Sequence, residues 1–178
     1  SRYKKALFLH GDTDTAKSTF LNLIKALLGS ENIAAVSLQR LEMRFQQARL
    51  YHRLANIYHD LSKTALTRTG VFTYTTGNDP IEAEIKNSMN FLKFTNYAKH
   101  YFSANDLPEV TEDESDAFYN RLLMVEFTHQ FKDPEKDPNI LQKLTTPDEL
   151  SAMLNWALEG LRRLNTKGGF THDKPIVY

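Results

Sequence analysis

The chain has 178 residues, with 22 lysines and arginines, 22 aspartates and glutamates, 41% hydrophobic residues and no cysteine. These values are typical of one globular domain, and an aromatic content of 11% with only 7 glycines and 6 prolines excludes a collagen-like or disordered chain. The lack of cysteine excludes disulfides, thiolate zinc sites and cysteine nucleophiles. Because no apolar run approaches the roughly 20 residues of a membrane helix, we expect a cytoplasmic protein with no membrane partner.

The balanced charge is unevenly distributed along the chain. Basic residues outnumber acidic ones over residues 1–53, and the reverse holds over residues 54–128. A polyanion would therefore be held locally rather than over the whole surface. The acidic cluster of Glu112, Asp113 and Glu114 is expected to be a solvated loop or the first turn of a helix.

Short apolar runs alternate with amphipathic stretches, a pattern that predicts an α/β fold. The runs predict core strands over residues 4–10, 33–38, 54–58, 97–104 and 122–127. The amphipathic stretches predict helices over residues 18–28 and 41–50, and residues 72–76 and 91–94 are expected to be the arms of a hairpin.

The last part of the chain is predicted to be helical. Thr146 can cap a helix that has Pro147 at its first position and Glu149 three residues after the cap. Trp156 is expected to pack rather than to bind a ligand. We expect residues 1–130 to form the core and residues 131–178 to form a helical portion and tail of the same domain. The apolar stripe of this helix would consist of Leu150, Met153, Leu154, Ala157, Leu158 and Leu161.

The strongest signal for chemistry is the segment GDTDTAKS at residues 11–18, between the first strand and the first helix. It differs by one residue from the phosphate-binding pattern G-x-x-x-x-G-K-[ST]. In such a loop, backbone N–H groups and a helix N-terminus surround phosphate oxygens, the lysine neutralises their charge, and the serine reaches Mg²⁺. The alternative is a glycine turn before a helix, with Lys17 at the surface. The expected ATP-binding residues are Gly11, Asp12, Thr13, Asp14, Thr15, Ala16, Lys17, Ser18 and Thr19.

Ala16 occupies the position where the phosphate-binding pattern has glycine. Its Cβ can oppose the backbone conformation that the loop needs, or it can crowd the phosphate. Either effect weakens nucleotide binding or turnover, so this departure concerns the expected activity more than the expected fold.

Polar residues at the ends of other strands complete the predicted site. Asp60 follows the third strand, expected to be a neighbour of the first, and would either organise Mg²⁺ or activate water. Asn105 follows the fourth strand and would orient the attacking water, with a simple turn residue as the alternative. Arg121 would be an arginine finger that a neighbouring subunit inserts, which implies a ring. The predicted catalytic residues are Lys17, Asp60, Asn105 and Arg121, and the predicted metal ligands are Ser18 and Asp60.

Six segments, in order along the chain, carry a resemblance to a known family. They are FLHGDTDTAKSTFLNLI, RFQQARLYHRLANIYHDL, TTGNDPIEAEIK, YAKHYFSANDLP, RLLMVEF and TPDELSAMLNWALEGLRRL. Together they span residues 3–170 and resemble the superfamily 3 helicase domain of phage, plasmid and archaeal-element primase-helicases. The resemblance implies a P-loop NTPase of AAA+ type, with a mainly parallel central sheet flanked by helices and a C-terminal helical portion.

The same resemblance implies an ATP-dependent replicative DNA helicase of a mobile genetic element, working with ATP and Mg²⁺. It implies a homo-oligomer, typically a hexamer, that acts on single-stranded or forked DNA and is fused to or associated with a primase. The family has a DNA-contacting hairpin at the place of residues 79–94. There Lys86 and Lys93 would bind phosphates without sequence preference, unless both are simply solvated.

Departures from the family pattern leave other functions open. Ala16 replaces glycine, Thr73 stands where the family often has lysine, and Asp60 is a single acid. The alternatives to a motor are therefore a catalytically weakened ring or scaffold, and a AAA+ loader that binds DNA or replication proteins. Because the sequence shows no primase, zinc-ribbon or winged-helix segment, we expect a motor taken from a longer protein or the motor of a short one.

Overall fold

The computed structural model describes residues 2–111 and 115–171, so the acidic cluster of Glu112, Asp113 and Glu114 lies outside the described residues. The strands are β1 (Ala6–His10), β2 (Ile33–Ala34), β3 (Ala55–Tyr58), β4 (Pro80–Glu84), β5 (Phe91–Thr95), β6 (Lys99–Ala104) and β7 (Leu122–Glu126). The α-helices are α1 (Lys17–Leu28), α2 (Gly70–Thr76), α3 (Ser115–Tyr119), α4 (Ile140–Leu144) and α5 (Pro147–Lys167). The α/β fold class that the sequence predicts is confirmed.

A five-stranded parallel sheet in the order β2-β3-β6-β1-β7 forms the centre of the molecule. Strand β1 lies between β6 and β7, with Leu9 level with Ser103 on one side and with Val125 on the other. Strands β4 and β5 form a separate antiparallel hairpin. Because the five central strands are parallel, their carboxyl ends meet at one edge of the sheet, and the loops that follow them lie together there.

Both faces of the central sheet are covered, which explains why its strands read as apolar runs. Phe8 of β1 packs into the larger core with Phe102 of β6. Leu9 points to the opposite face and packs with Leu21 and Ile24 of α1. Each of these buried side chains contributes about 2 kcal/mol of hydrophobic stabilisation, and together they hold the start of α1 against the carboxyl end of β1.

The predicted strand over residues 33–38 is shorter than expected. Only Ile33–Ala34 pairs as a strand. Beyond it, the side-chain amide of Asn56 replaces the strand partner of Val36: its Oδ1 accepts a hydrogen bond from the Val36 N–H at 2.8 Å, and its Nδ2 donates to the Val36 carbonyl at 2.9 Å. A buried side chain therefore satisfies the backbone that a longer strand would have paired.

The predicted helix over residues 41–50 is wrong. The segment contains two 3-10 turns, Gln39–Glu42 and Gln47–Leu50. Phe45 between them has a left-handed backbone with φ 68°, which a continuous right-handed helix does not allow. Leu41 and Leu50 are nevertheless buried, so the apolar spacing correctly marked core contacts but not the local backbone.

The first predicted hairpin arm is also wrong, because residues 72–76 belong to helix α2. The hydroxyls of Thr75 and Thr76 both donate to the carbonyl of Phe72, at 3.1 and 2.9 Å. Bonds of this kind satisfy β-branched threonines within a helix despite their preference for strands. The true hairpin arms are β4 and β5, and the second of these matches the predicted arm over residues 91–94.

Helix α5 begins as predicted but is less buried than its pattern suggests. Thr146 Oγ1 accepts a hydrogen bond from the Glu149 N–H at 3.4 Å, and Pro147 is the first helical residue. Of the predicted stripe, Met153 packs against the core, but no residue of the helix is fully buried. Trp156 is 72% exposed, so its predicted packing role is wrong.

Across the described ranges, no helix is both long enough and apolar enough to cross a membrane.

Candidate functional site

The chain reverses its winding direction between β1 and β6. The connection that leaves β1 runs towards β2, on one side of the sheet, and the connection that leaves β6 crosses to β7, on the other side. Ligands of open α/β sheets bind in the crevice that such a reversal creates beyond the carboxyl ends of the strands. The loop at residues 11–18 follows β1 and Asn105 follows β6, so the topology places both at this crevice.

Lys17 is buried inside the loop that it follows. Only 5% of the residue is exposed. Its Nζ donates to the carbonyls of Gly11 at 2.6 Å and Asp12 at 2.5 Å, to Thr15 Oγ1 at 3.3 Å, and to Asn105 Oδ1 at 3.2 Å. These partners are neutral, so the positive charge of Lys17 has no acidic partner in the described part of the chain. The alternative of a surface lysine is therefore wrong.

Ala16 adopts the backbone conformation that usually requires glycine. Its φ of 67° and ψ of 13° lie in the left-handed region, immediately before the first residue of α1. Such a conformation costs an L-residue about 1–2 kcal/mol. The methyl group therefore does not prevent the loop from forming, and it lies on the wall of the pocket described next.

A pocket of about 490 Å³ lies over this loop. Residues 13–19 form one wall, and residues 60–63 with Asn105 and Asp106 form the other. The volume is within the range of small-molecule and nucleotide sites. The predicted residues Lys17, Ser18, Asp60 and Asn105 thus line one pocket, although they are spread over nearly ninety positions of the sequence.

Gly11 is required for a reason that the sequence alone does not show. Its φ is 147°, and a Cβ added here would collide with the carbonyl oxygen of Phe127. The chain that leaves β7 comes this close because the Phe127 N–H donates to the His10 carbonyl at 2.7 Å. The missing side chain therefore allows the first and last strands to pair up to the edge of the site.

Asp60 lies beyond the end of β3, which is not the immediate neighbour of β1 that we expected, because β6 lies between them. Its N–H donates to Ser103 Oγ of β6 at 3.3 Å, and its φ is 50°. Burial lowers the pKa of the adjacent His59, an effect that the charge of Asp60 partly opposes. Burial thus opposes a positive charge on His59 beside the exposed Asp60 carboxylate.

The residues at the pocket fit a magnesium ion that is carried by phosphates. Ser18 and Asp60 offer one hydroxyl and one carboxylate, both exposed at the pocket. In the described part of the chain, no group of three or more histidines, aspartates or glutamates is placed to hold a metal. Mg²⁺ commonly takes only one or two protein oxygens and completes its shell with phosphates and water.

Two ion pairs lie at the rim of the pocket and were not predicted from the sequence. Lys63 contacts Asp106 at 2.5 Å, and this hydrogen bond lowers the pKa of the Asp106 carboxyl. Lys136 contacts Asp14 of the loop at 3.0 Å, and hydrogen bonds to Asp14 and Asp133 raise the pKa of its ammonium. Both pairs join distant segments, and no spacing in the sequence indicates them.

A second cavity, of about 370 Å³, also adjoins the loop. Thr15 and Ala16 meet the segment after β7 here, including Phe127 and His129. The Phe131 N–H donates to the Asp14 carbonyl at 3.0 Å, which fixes this segment to the loop. Aromatic side chains therefore line part of this cavity, beside the loop at residues 11–18.

Arg121 lies at the amino-terminal end of the parallel strands, whereas the loop lies at their carboxyl end, because Arg121 precedes β7 and the loop follows β1. It is half-buried, its Nη1 donates to the Ala117 carbonyl at 2.7 Å, and its Nε is buried with no hydrogen-bond partner among the described residues. Within one chain it does not approach Lys17. The predicted finger role therefore requires a second copy.

The predicted DNA-contacting region at residues 79–94 coincides with the hairpin of β4 and β5. Lys93 is paired with Glu82 across the hairpin at 2.8 Å, and this hydrogen bond raises the pKa of the exposed lysine. Lys86, in the turn, makes no ion pair within residues 2–111 and 115–171. The two predicted contacts thus differ: only Lys86 carries an uncompensated charge.

A family model, described as a family of unknown function (DUF5906), matches residues 9–121. The chain belongs to this family. The match begins in β1 and ends just before β7, so it includes the loop, Asp60, the hairpin and Asn105. No curated protein matches the chain.

Solved structures are similar to this chain in fold. The apo A form of the NrS-1 C-terminal region is 18% identical, with a TM-score of 0.65 over 84% of this chain and 36% of that one. JCV helicase is 15% identical, with a TM-score of 0.53 over 86% of this chain and 44% of the helicase. The chain thus has a helicase-like fold and spans less than half the length of either structure.

Proposed function

We propose that this chain is the ATP-hydrolysing motor domain of a replicative DNA helicase of superfamily 3 type, belonging to a mobile genetic element. The observation that carries the proposal is the contact between Lys17, buried in the loop after β1, and Asn105, at the end of β6. It joins the candidate phosphate-binding group to the candidate group for orienting water in one pocket. The helicase-like fold supports the same assignment.

The loop would bind the phosphates of ATP. The N-terminus of α1 offers backbone N–H groups to an anion, and no side chain caps this end of the helix. Lys17 would exchange its carbonyl partners for phosphate oxygens, which would release Asn105 to hold the attacking water. Ser18 and Asp60 would hold Mg²⁺, which when bound neutralises the charge on the phosphates.

The apolar cavity beside Ala16 would receive the base of the nucleotide. Phe127 and Phe131 offer aromatic surface, and flat rings favour stacked or edge-on contact with other rings. The phosphates would thus occupy the first cavity and the base the second. This arrangement is consistent with Thr15 and Ala16 lining both cavities.

Arg121 would act on a neighbouring copy in a ring, most simply a hexamer. Two observations support this: Arg121 precedes β7 and so lies at the other end of the strands from the loop of its own chain, and its Nε lacks a partner within the described residues. An arginine supplied by a neighbour stabilises the charge that develops on the transferred phosphate. The hairpin of β4 and β5 would bind DNA, and a primase would be fused or associated.

A second candidate is a ring or loader with weakened catalysis that binds DNA or replication proteins. The strained Ala16 and the single carboxylate Asp60 favour it, because both features distinguish this site from the full pattern. The two candidates share nucleotide binding and differ in turnover.

DNA-stimulated ATP hydrolysis separates the candidates. We expect hydrolysis by the parent chain and by Ala16→Gly, none by Lys17→Ala, and parental activity for the control Lys25→Ala on the same helix. If neither the parent nor Ala16→Gly hydrolyses ATP while both fold, the motor proposal is excluded. Unwinding of a forked duplex distinguishes a motor from a loader, since a loader alone would leave the fork intact.

The arginine finger has its own test in mixed oligomers. Arg121→Ala should bind Mg-ATP but lose turnover, and mixing it with Lys17→Ala should restore part of the activity. Restoration is expected because an intact Arg121 from one variant would face an intact loop from the other. Absence of any restoration in a mixture that forms hetero-oligomers would exclude action across an interface.

A further inference from the structure

We propose that Lys136 is a positioning residue of the nucleotide site. It neutralises Asp14, an acid within the loop at residues 11–18, and so lets that loop accept an anionic triphosphate. This inference rests on the proposed function, because it concerns the affinity of the same pocket for ATP. Below, residues 11–18 are called the phosphate loop.

Asp14 places a negative charge at the pocket that would receive the phosphates. It lies on the wall of the 490 Å³ pocket, and its side chain is 55% exposed. Asp12, the other acid of the phosphate loop, is not among the residues that line this pocket. Because like charges repel, a carboxylate on this wall opposes the binding of a triphosphate. The phosphate loop therefore carries a charge that works against its proposed ligand.

Lys136 compensates this charge from a distant part of the sequence. Its Nζ lies 3.0 Å from Asp14 Oδ2 and 3.2 Å from Asp133 Oδ1. Lys17, by contrast, donates to neutral oxygen atoms. The division leaves the charge of Lys17 for the phosphates, while Lys136 supplies the cation that Asp14 meets in the folded chain.

Other hydrogen bonds hold the segment of Lys136 against the phosphate loop. The Phe131 N–H donates to the Asp14 carbonyl at 3.0 Å, and Gln130 Nε2 donates to the Thr13 carbonyl at 3.3 Å. The 3-10 turn Asp133–Glu135 then ends at Lys136. Because these contacts already order the segment, the ion pair forms with a smaller loss of conformational entropy than one on a free loop.

The ion pair between Lys136 and Asp14 matters through its effect on a third charge. Both side chains are partly exposed, and ion pairs of this kind contribute little to the stability of a fold. An uncompensated charge, however, acts over roughly 10 Å at 0.1 M salt, so an unpaired Asp14 on the pocket wall would act on a bound triphosphate. Loss of Lys136 should therefore weaken ATP binding and leave the folded state intact.

Calorimetric titration of the full chain with Mg²⁺ and a non-hydrolysable ATP analogue, at about 0.05 M and about 0.5 M salt, tests the inference. Asn tolerates the left-handed backbone of residue 14, which has φ 59°, so Asp14→Asn removes the charge without straining the loop. The control is Lys143→Ala, because Lys143 pairs with Asp137 at 2.5 Å and not with the phosphate loop. Thermal melting verifies that each variant folds. The variants are Lys136→Ala, Lys136→Arg, Asp14→Asn, the double substitution Lys136→Ala with Asp14→Asn, and Lys143→Ala.

At the lower salt concentration, Lys136→Ala should bind the analogue about three- to tenfold more weakly than the parent, and the difference should shrink at the higher concentration. Lys136→Arg and Lys143→Ala should bind as the parent does. The double variant should return to within about twofold of the parental affinity, because the charge that Lys136 neutralises is then gone. Such a rescue separates charge compensation from anchoring, since Asp14→Asn also lacks the ion pair.

Three other outcomes overturn the inference in distinguishable ways. If the parent and Lys136→Ala bind the analogue equally well, the inference is wrong and the proposed function stands. If Lys136→Ala binds weakly and the double variant binds just as weakly, Lys136 does not act through the charge of Asp14, and the inference is again wrong alone. If a folded parent does not bind the analogue, the proposed function fails and the inference fails with it.

Discussion

Replacing Ala16 by glycine should stabilise this protein. Ala16 has φ 67° and ψ 13°, and the left-handed region costs an L-residue about 1–2 kcal/mol. Glycine removes that cost, but it also makes the unfolded chain more flexible, which opposes the gain by about 0.4–1 kcal/mol. The net increase in the free energy of unfolding is therefore about 0–1.6 kcal/mol, which corresponds to a rise in melting temperature of at most about 6 °C for a domain of this size.

Ala26→Gly is the matched control, because the same change inside α1, ten residues further along, should have the opposite effect on stability. Ala26 is exposed within α1, where the backbone is right-handed. Glycine in such a position costs about 1 kcal/mol relative to alanine. The control should therefore melt about 2–4 °C below the parent. The melting temperature of the parent should thus lie between those of the two variants.

Thermal and urea unfolding followed by circular dichroism, without nucleotide, provide the measurement. The two variants differ from the parent by the same single methyl group, so a general effect of removing Cβ cannot produce opposite shifts. A melting temperature of Ala16→Gly below that of the parent would refute the reasoning, because it would mean that the loop does not hold residue 16 in the left-handed conformation.

Three further predictions concern the core, a helix cap and catalysis. Burial lowers the pKa of His100 to about 4. As the pH falls below 6.5, this histidine is therefore protonated in the unfolded state before it is protonated in the folded state. The free energy of unfolding should fall by about 3 kcal/mol by pH 4. In urea unfolding, the difference in stability between the parent and His100→Phe should shrink by that amount between pH 7 and pH 4, and a constant difference would contradict the assignment. Thr146→Ala should lower the free energy of unfolding by about 1 kcal/mol, whereas Ser151→Ala within the same helix should not. Equal losses for the two variants would show that Thr146 does not cap the helix. Asn105→Ala should keep Mg-ATP affinity within a few-fold but reduce turnover at least about tenfold, and parental turnover would remove Asn105 from catalysis.

The central strands could be predicted from the sequence because they are buried on both faces. Parallel strands of this kind appear as short apolar runs, as β1, β3, β6 and β7 do. Helix α1 was equally clear, since its apolar spacing and its closing glycine agree. Local pattern and tertiary environment point to the same structure in these elements, which is why the prediction held.

Other segments depend on contacts that no local pattern shows. The apolar spacing of residues 41–50 indicates a helix, yet Leu41 and Leu50 reach the core from two separate turns around the left-handed Phe45. Residues 72–76 have strand propensity but form α2, because the threonine hydroxyls bond back to the Phe72 carbonyl. Propensity is a weak guide where packing decides.

The candidate site was partly predictable. Lys17 could be named because it belongs to a near-match of a phosphate-binding pattern, and Asn105 because it follows an apolar run at a strand end. The fold brings the two into contact. The pairing of Lys63 with Asp106 and of Lys136 with Asp14 could not be named, since each depends on the folded arrangement of distant loops. The catalytic roles of the named residues stay predictions.

Calorimetric titration of the chain with Mg²⁺ and a non-hydrolysable ATP analogue tests the central claim most directly. We expect saturable binding by the parent and by Lys25→Ala, and an affinity at least about tenfold lower for Lys17→Ala, because the buried ammonium would no longer meet the phosphates. Equal affinity for the parent and Lys17→Ala, or no binding heat for a folded parent across a range of temperatures, would contradict the assignment of this loop as a nucleotide site.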